Sequence, residues 1–145
     1  MAQINLEIIP QLLVDSFNKK DFNQALELIS DKAEWLDIPT HSMFRGKEGY
    51  RKFENGWLKA FPDAKIELKS VIIGKNQIVS EYIGRGTHQG AIEGPDGLIQ
   101  PTGNRVELKL CDVMNVADGM ITGGHTYYDA ATLLRQISNS SRLAA

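Results

Sequence analysis

Asp112 stands out first as a residue that could do chemistry. In the stretch 104–116, alternate residues Val106, Leu108, Leu110, Asp112, Met114 and Val116 share one face, because a strand sends successive side chains to opposite sides. A lone carboxylate among apolar neighbours must be hydrogen-bonded or kept protonated. It reads as a pocket acid or hydrogen-bond donor, or as a structural carboxylate tying down a loop or helix end. Asp37 shares a face with Trp35 in the short run 33–38 and stands two residues before Pro39. Proton transfer and a plain turn are both open readings for it. His88 ends a face made of Ile78, Ser80, Tyr82, Gly84 and Gly86. Imidazole suits acid–base work near neutral pH, and the small residues leave room beside Tyr82. The plainer reading is a half-exposed histidine at a strand end. Trp35, Trp57, Tyr82 and Tyr128 could stack on an apolar ligand or simply fill a core.

Other chemistries lack their signatures. No Gly-x-Gly-x-x-Gly, Walker-type loop or Gly-x-Ser-x-Gly elbow occurs. Asp37, His88, Asp112 and His125 show no diagnostic metal-ligand spacing, so no metal site is expected. His41 falls in a loop, and His125 faces away from Thr126 and Tyr128. Cys111 is the single cysteine, which excludes an internal disulfide and a multi-cysteine zinc site. Sixteen Lys and Arg against eighteen Asp and Glu leave a net charge of −2. No nucleic-acid partner is expected from that balance. No apolar run approaches the roughly 18 residues of a membrane span, and the start shows no secretory pattern. The expectation is a cytoplasmic protein with no membrane partner.

The elements that must position these residues follow from periodicity. Ile9, Leu12, Leu13 and Phe17 make one helical stripe, with Pro10 tolerated only in the first turn. Asp21 and Gln24 have the spacing of a capping box ahead of Phe22, Ala25, Leu26 and Ile29. Tyr50, Phe53, Trp57 and Phe61 mark a helix over about 47–60 that Pro62 ends. The pattern then changes to period two. Strands are expected at 65–73, 77–89, 104–116 and 120–128, with Asp118-Gly119 as a type I′ hairpin turn. The Gly- and Pro-rich stretch 90–103 reads as a loop, either a lid or an ordinary surface connection. Asp129 is placed to cap a final helix. One domain over 1–137 is expected, with 138–145 as a flexible tail. Helices first and strands after is an α+β layout.

Several runs together resemble a known family. They are Phe17 to Phe22, the helix closing on Phe61-Pro62-Asp63, Gly86 to Gly90, Pro101 to Val106, and Asp112 to Ile121. In order and spacing they resemble the SnoaL-like polyketide cyclases of the nuclear transport factor 2 and ketosteroid isomerase superfamily. The resemblance implies a cone-shaped, curved antiparallel sheet around three helices, an apolar pocket, and a homodimer. It also implies a small apolar organic ligand and no cofactor. By the same resemblance, Asp37 stands where isomerase-like members keep a proton-shuttling carboxylate. Asp112 stands where they keep a protonated acid facing an oxyanion, and His88 matches a histidine of SnoaL-like proteins. Leu13 replaces the tyrosine of the isomerase site. Thr126 replaces the acid–base aspartate of the cyclases, which argues against their particular reaction. The implied enzyme is a proton-transfer isomerase, lyase or aldol-type cyclase. Asp37, His88 and Asp112 would be catalytic, and Trp35, Trp57, Tyr82, Thr126 and Tyr128 would shape the pocket. A non-catalytic ligand-binding or oligomerisation domain is the alternative, since one fold hosts many functions.

Overall fold

The computed structural model describes residues 5–143. The chain runs α1 (Ile8–Lys19), α2 (Asn23–Glu27), β1 (Ile29–Asp37), β2 (Ser42–Arg45), α3 (Gly46–Ala60), β3 (Lys65–Ile73), β4 (Gln77–Thr87), β5 (Ile92–Gly94), β6 (Gly97–Ile99), β7 (Arg105–Ala117), β8 (Met120–Tyr128) and α4 (Ala130–Leu143). Pro10 sits in the first turn of α1, where its missing N–H has no partner to lose. The expected capping box does not form: Phe22 is the N-cap of α2, and Asp21, one residue earlier, accepts the Asn23 N–H. Asp118 and Gly119 both have positive φ, as a type I′ turn requires. Asp129 accepts the Ala131 and Thr132 N–H groups and caps α4. That helix extends into the segment expected as a tail, and residues 144–145 lie outside the described residues.

Six strands form one curved sheet in the order β2-β1-β8-β7-β4-β3. The α+β class holds, with two differences from expectation. The sheet is mixed, because β1 and β8 run parallel, and the helices number four among the described residues. No hairpin links β1 to β8, so nothing local dictates an antiparallel pairing. The loop after β1 turns back as β2, an edge strand not evident from periodicity; it covers the outer side of β1 and leaves the other side to β8. The stretch 90–103 is not all loop either: β5 and β6 pair as a short hairpin within it. Register shifts in the β1–β8, β3–β4 and β7–β8 pairs bend the sheet, as bulges do.

The helices pack on the sheet, α1 against β3, α3 against β1 and β2, and α4 against β7. Of the three apolar stripes, Ile9, Phe17, Phe22, Ala25, Leu26, Ile29, Tyr50, Phe53 and Phe61 are buried, while Leu12, Leu13 and Trp57 are half-buried. Two side chains fix the frame. Asn18 makes a two-point bond to the backbone of Ile66, pinning α1 to β3. Asp63 accepts both the N–H and the hydroxyl of Thr87, at 2.7 and 2.8 Å, pinning the end of α3 to the end of β4. The chain then crosses α3 closely. A Cβ on Gly90 would lie 1.9 Å from the Lys59 carbonyl oxygen, so only glycine fits. Among the described residues no helix is long and apolar enough to cross a membrane.

Candidate active site

Strand register assembles the site. Asp37 on β1 pairs with Thr126 on β8, Thr126 with Asp112 on β7, and Asp112 with Ser80 on β4. These four side chains form one polar row across the helix-facing side of the sheet. Asp37 and Asp112 flank Thr126, so their backbones are roughly 10 Å apart at ordinary strand spacing. Asp37, Thr126 and Ser80 are at most 5% exposed, and Asp112 is half-buried.

Asp112 is held by side chains, not by a loop or helix end. Its Oδ1 accepts the Thr126 hydroxyl at 2.8 Å and the Tyr82 hydroxyl at 3.0 Å. Thr126 Oγ1 in turn accepts the Trp35 indole N–H at 2.9 Å. Thr126 therefore spends its one proton on Asp112. Burial still pushes the Asp112 carboxyl up to about 7, against the pull of these two donors.

Glu54 is the functional candidate that the sequence reading missed. It stands four residues after Tyr50 and three before Trp57 on α3, which puts it on the buried face of that helix. Burial first, and then the charge of Asp112, push its carboxyl up to about 8. Tyr50, buried, and Tyr82, half-buried, stand beside both carboxyls; desolvation raises both well above the ordinary tyrosine value and they stay protonated. A carboxylate set into the stripe Tyr50–Phe53–Trp57 was the available signal.

Asp37 has different surroundings. Its Oδ2 accepts the hydroxyls of Thr40 and Tyr128, the latter at 3.0 Å, while the buried Oδ1 has no partner. Burial raises its pKa, partly offset by those two donors. It lines an open groove of about 740 Å³ between α3, α4, the turn before β2 and the start of the β5–β6 hairpin. Trp57, Phe44, Ile92, Tyr128 and Leu134 supply apolar walls.

Two smaller spaces share lining residues with the groove and with each other. Trp57 and Leu133 border both the groove and an apolar pocket of about 60 Å³. Glu54, Tyr82 and Ile66 border both that pocket and a polar cavity of about 30 Å³ that Asp112, Ser80, Tyr50 and Leu13 also line. Trp57 packs edge-on against Tyr128, ring centroids 5.1 Å apart, at the join with the groove.

His88 borders none of these spaces. It is fully buried, not half-exposed at a strand end as the plainer reading held, because the chain beyond it folds back across α3. Its Nδ1 accepts the Thr102 N–H at 3.2 Å, so the neutral ring carries its proton on Nε2. Nε2 has no partner in hydrogen-bond geometry, and burial lowers the ring's pKa below its usual 6.5. The structure thus brings Asp37 and Asp112 into one row with Thr126, to which Trp35 donates from the same face of β1, and leaves His88 behind Phe61. His125 is half-buried against Tyr127 on the opposite side of the sheet. Among the described residues no group of three or more His, Cys, Asp or Glu is placed to hold a metal ion.

A family profile for SnoaL-like polyketide cyclases matches residues 7–137. The chain belongs to that family. Several solved structures share its fold. TsrD from Streptomyces laurentii superposes with a TM-score of 0.79 at 19% identity, over 94% of this chain and 98% of its own. AclR from Streptomyces galilaeus, a candidate hydroxylase, gives 0.75 at 24% identity over 90% and 93%. IdmH from Streptomyces antibioticus, a candidate polyketide cyclase, gives 0.73 at 25% identity over 90% and 96%. No curated protein matches the chain in sequence. SnoaL-like membership and the cyclase candidate among these neighbours support a small-molecule, cyclase-type role.

Proposed function

We propose that this chain is a proton-transfer enzyme acting on a small, mostly apolar carbonyl or hydroxyl compound held in the groove beside Asp37. One observation carries this reading: a buried carboxyl, held on one oxygen by Tyr128 and Thr40 and unpartnered on the other, lines a large, mainly apolar groove. The groove volume suits a small organic ligand. A carboxyl with a raised pKa is a better base than an ordinary aspartate, and a fixed orientation readies it for proton abstraction.

In an aldol-type cyclisation, Asp37 takes a proton from the carbon beside a carbonyl. The resulting enolate carbon attacks a second carbonyl of the same molecule, and Asp37 returns the proton to the new alkoxide. Isomerisation and dehydration begin with the same proton removal. Trp57 and Tyr128 set the walls that hold the reacting carbon. Trp35 and Thr126 orient Asp112 in the same row. His88 has no task in this scheme; its bonds to the Thr102 segment support a structural one.

Ligand binding without catalysis is the second reading, favoured by the packing of Trp57 on Tyr128 across the inner end of the groove. Turnover of a panel of small di- and tri-ketones by wild type and Asp37→Asn separates the two. The expected result is turnover that falls about 10²–10⁴-fold in the variant while ligand affinity stays within about threefold. Equal turnover by both proteins overturns the role of Asp37. Tight binding with no turnover by wild type selects the binding reading.

A further inference from the structure

The groove beside Asp37 and the apolar pocket of about 60 Å³ share two lining residues, Trp57 and Leu133. Trp57 comes from α3 and Leu133 from α4, so each helix supplies one side chain to the partition. Leu133 is buried and Trp57 half-buried. The indole is held by three aromatic neighbours. It stands edge-on to Phe53 and Tyr128, with centroids 6.5 and 5.1 Å apart, and stacks on Phe61 at 6.4 Å. Such pairs add attraction beyond the area they bury, which fixes the ring in place. Tyr128 joins the partition to the base: its ring packs on Trp57 and its hydroxyl donates to Asp37. Behind the partition, Phe17, Phe61, Leu108 and Leu110 make hydrocarbon walls. Gly84 lines the same space without a side chain, and a Cβ there would meet Leu110 and Ile66 at ordinary contact distances of 3.4 and 3.6 Å. An alkyl group would be favoured in that pocket over water. A ligand seated beside Asp37 has the indole between itself and that gain.

We infer that Trp57 is the specificity-determining residue of the groove. With Leu133 it bars the inner pocket, so the ligand is a compact carbonyl or hydroxyl compound whose apolar body stays in the groove. This rests on the reading of a small oxygenated ligand in the groove, but not on catalysis by Asp37. A barrier of this kind acts by filling volume. Its removal therefore helps a ligand in proportion to the length of tail that passes it. Loss of a merely structural contact would instead weaken every ligand alike.

The probes are 2,4-pentanedione, 2,4-heptanedione and 2,4-nonanedione, added to the full chain, with affinities measured by calorimetry. Trp57→Leu opens the partition. The ratio of its affinity to that of wild type is expected to grow along the series, about fourfold for each methylene that enters the pocket. Leu133→Ala opens the partition from α4 and gives a shallower growth, so a Trp57 variant that fails to fold does not end the test. Gly84→Ala, added to either opened variant, narrows the pocket by a methyl group and takes back part of the gain. A ratio independent of tail length in both opened variants overturns the inference, as does a gain that Gly84→Ala leaves intact. Turnover of the same diketones, measured on the same samples, keeps the two readings apart. Turnover with a length-independent ratio removes the barrier alone. A growing ratio without any turnover removes the catalytic reading alone. No binding by any of these proteins overturns both.

Discussion

Asp37 and Asp112 flank Thr126 in one row of the sheet, yet they meet opposite surroundings. Asp37 sits where the turn before β2 and the β5–β6 hairpin leave an open groove, and its second oxygen has no partner. Asp112 lies under α1 and α3 with a second carboxyl, Glu54, for company. The same residue type in the same row becomes a reachable base in one place and a proton-holding acid in the other. What closes over a strand decides its chemistry more than the strand does.

The largest effect separates the two at the level of turnover. Asp37→Asn is expected to cost about 10²–10⁴-fold in kcat. The contrast breaks if Asp112→Asn costs as much and Asp37→Asn costs nothing in steady-state assays on the same substrate.

Stability against pH sharpens it next. In the unfolded chain Asp112 and Glu54 ionise near their ordinary 3.8 and 4.5, while the folded chain keeps their protons up to about 7 and about 8. Their contribution is full below about pH 4 and is lost as pH rises towards 8. Urea denaturation should therefore show a loss on the order of a few kcal/mol between pH 5 and pH 8. The double variant Glu54→Leu, Asp112→Asn should flatten that slope, and an unchanged slope would refute the assignment.

A smaller effect tests the bonding of Asp112 directly. Asp112→Leu strands the hydroxyls of Tyr82 and Thr126 and is expected to cost about 1–3 kcal/mol at pH 5. Glu54→Leu, which trades a half-buried carboxyl for hydrocarbon, should raise Tm under the same conditions. Thermal melts of the two variants would show opposite shifts.

At the groove, Tyr128→Phe removes one of the two donors that hold the Asp37 carboxyl down. Turnover should fall about tenfold, and the acid limb of the pH–rate profile should move to higher pH. A profile that stays in place would disconnect Tyr128 from Asp37. The smallest effect belongs to His88. Its folded pKa is depressed, so its contribution is present above 6.5 and is lost as pH falls below that value. His88→Leu should flatten the acid side of the stability curve by about 1 kcal/mol or less.

Much of the frame was legible in the residues. Alternation along 104–116 isolated Asp112 on an apolar face, and that face is the inner one. The stripe Tyr50–Phe53–Trp57 located α3, and Asp118-Gly119 located the β7–β8 turn. Glu54 was overlooked because a search for apolar positions passes over the carboxylate between them. The burial of His88 was hidden, since it depends on residues 89–90 bonding the Ala60 carbonyl, a contact between segments distant along the chain.

The sequence by itself determined the helices and the long strands, the inward faces of those strands and the family, but not the short strands β2, β5 and β6. Those properties follow from local periodicity and turn chemistry, which act over a few residues. Only the tertiary structure decided that β1 runs parallel beside β8. That pairing sets Asp37, Thr126, Asp112 and Ser80 in one row, and α3 then lays Glu54 over it. Register between strands far apart in sequence is set by bulges, turns and packing of the whole sheet, so no local pattern encodes it.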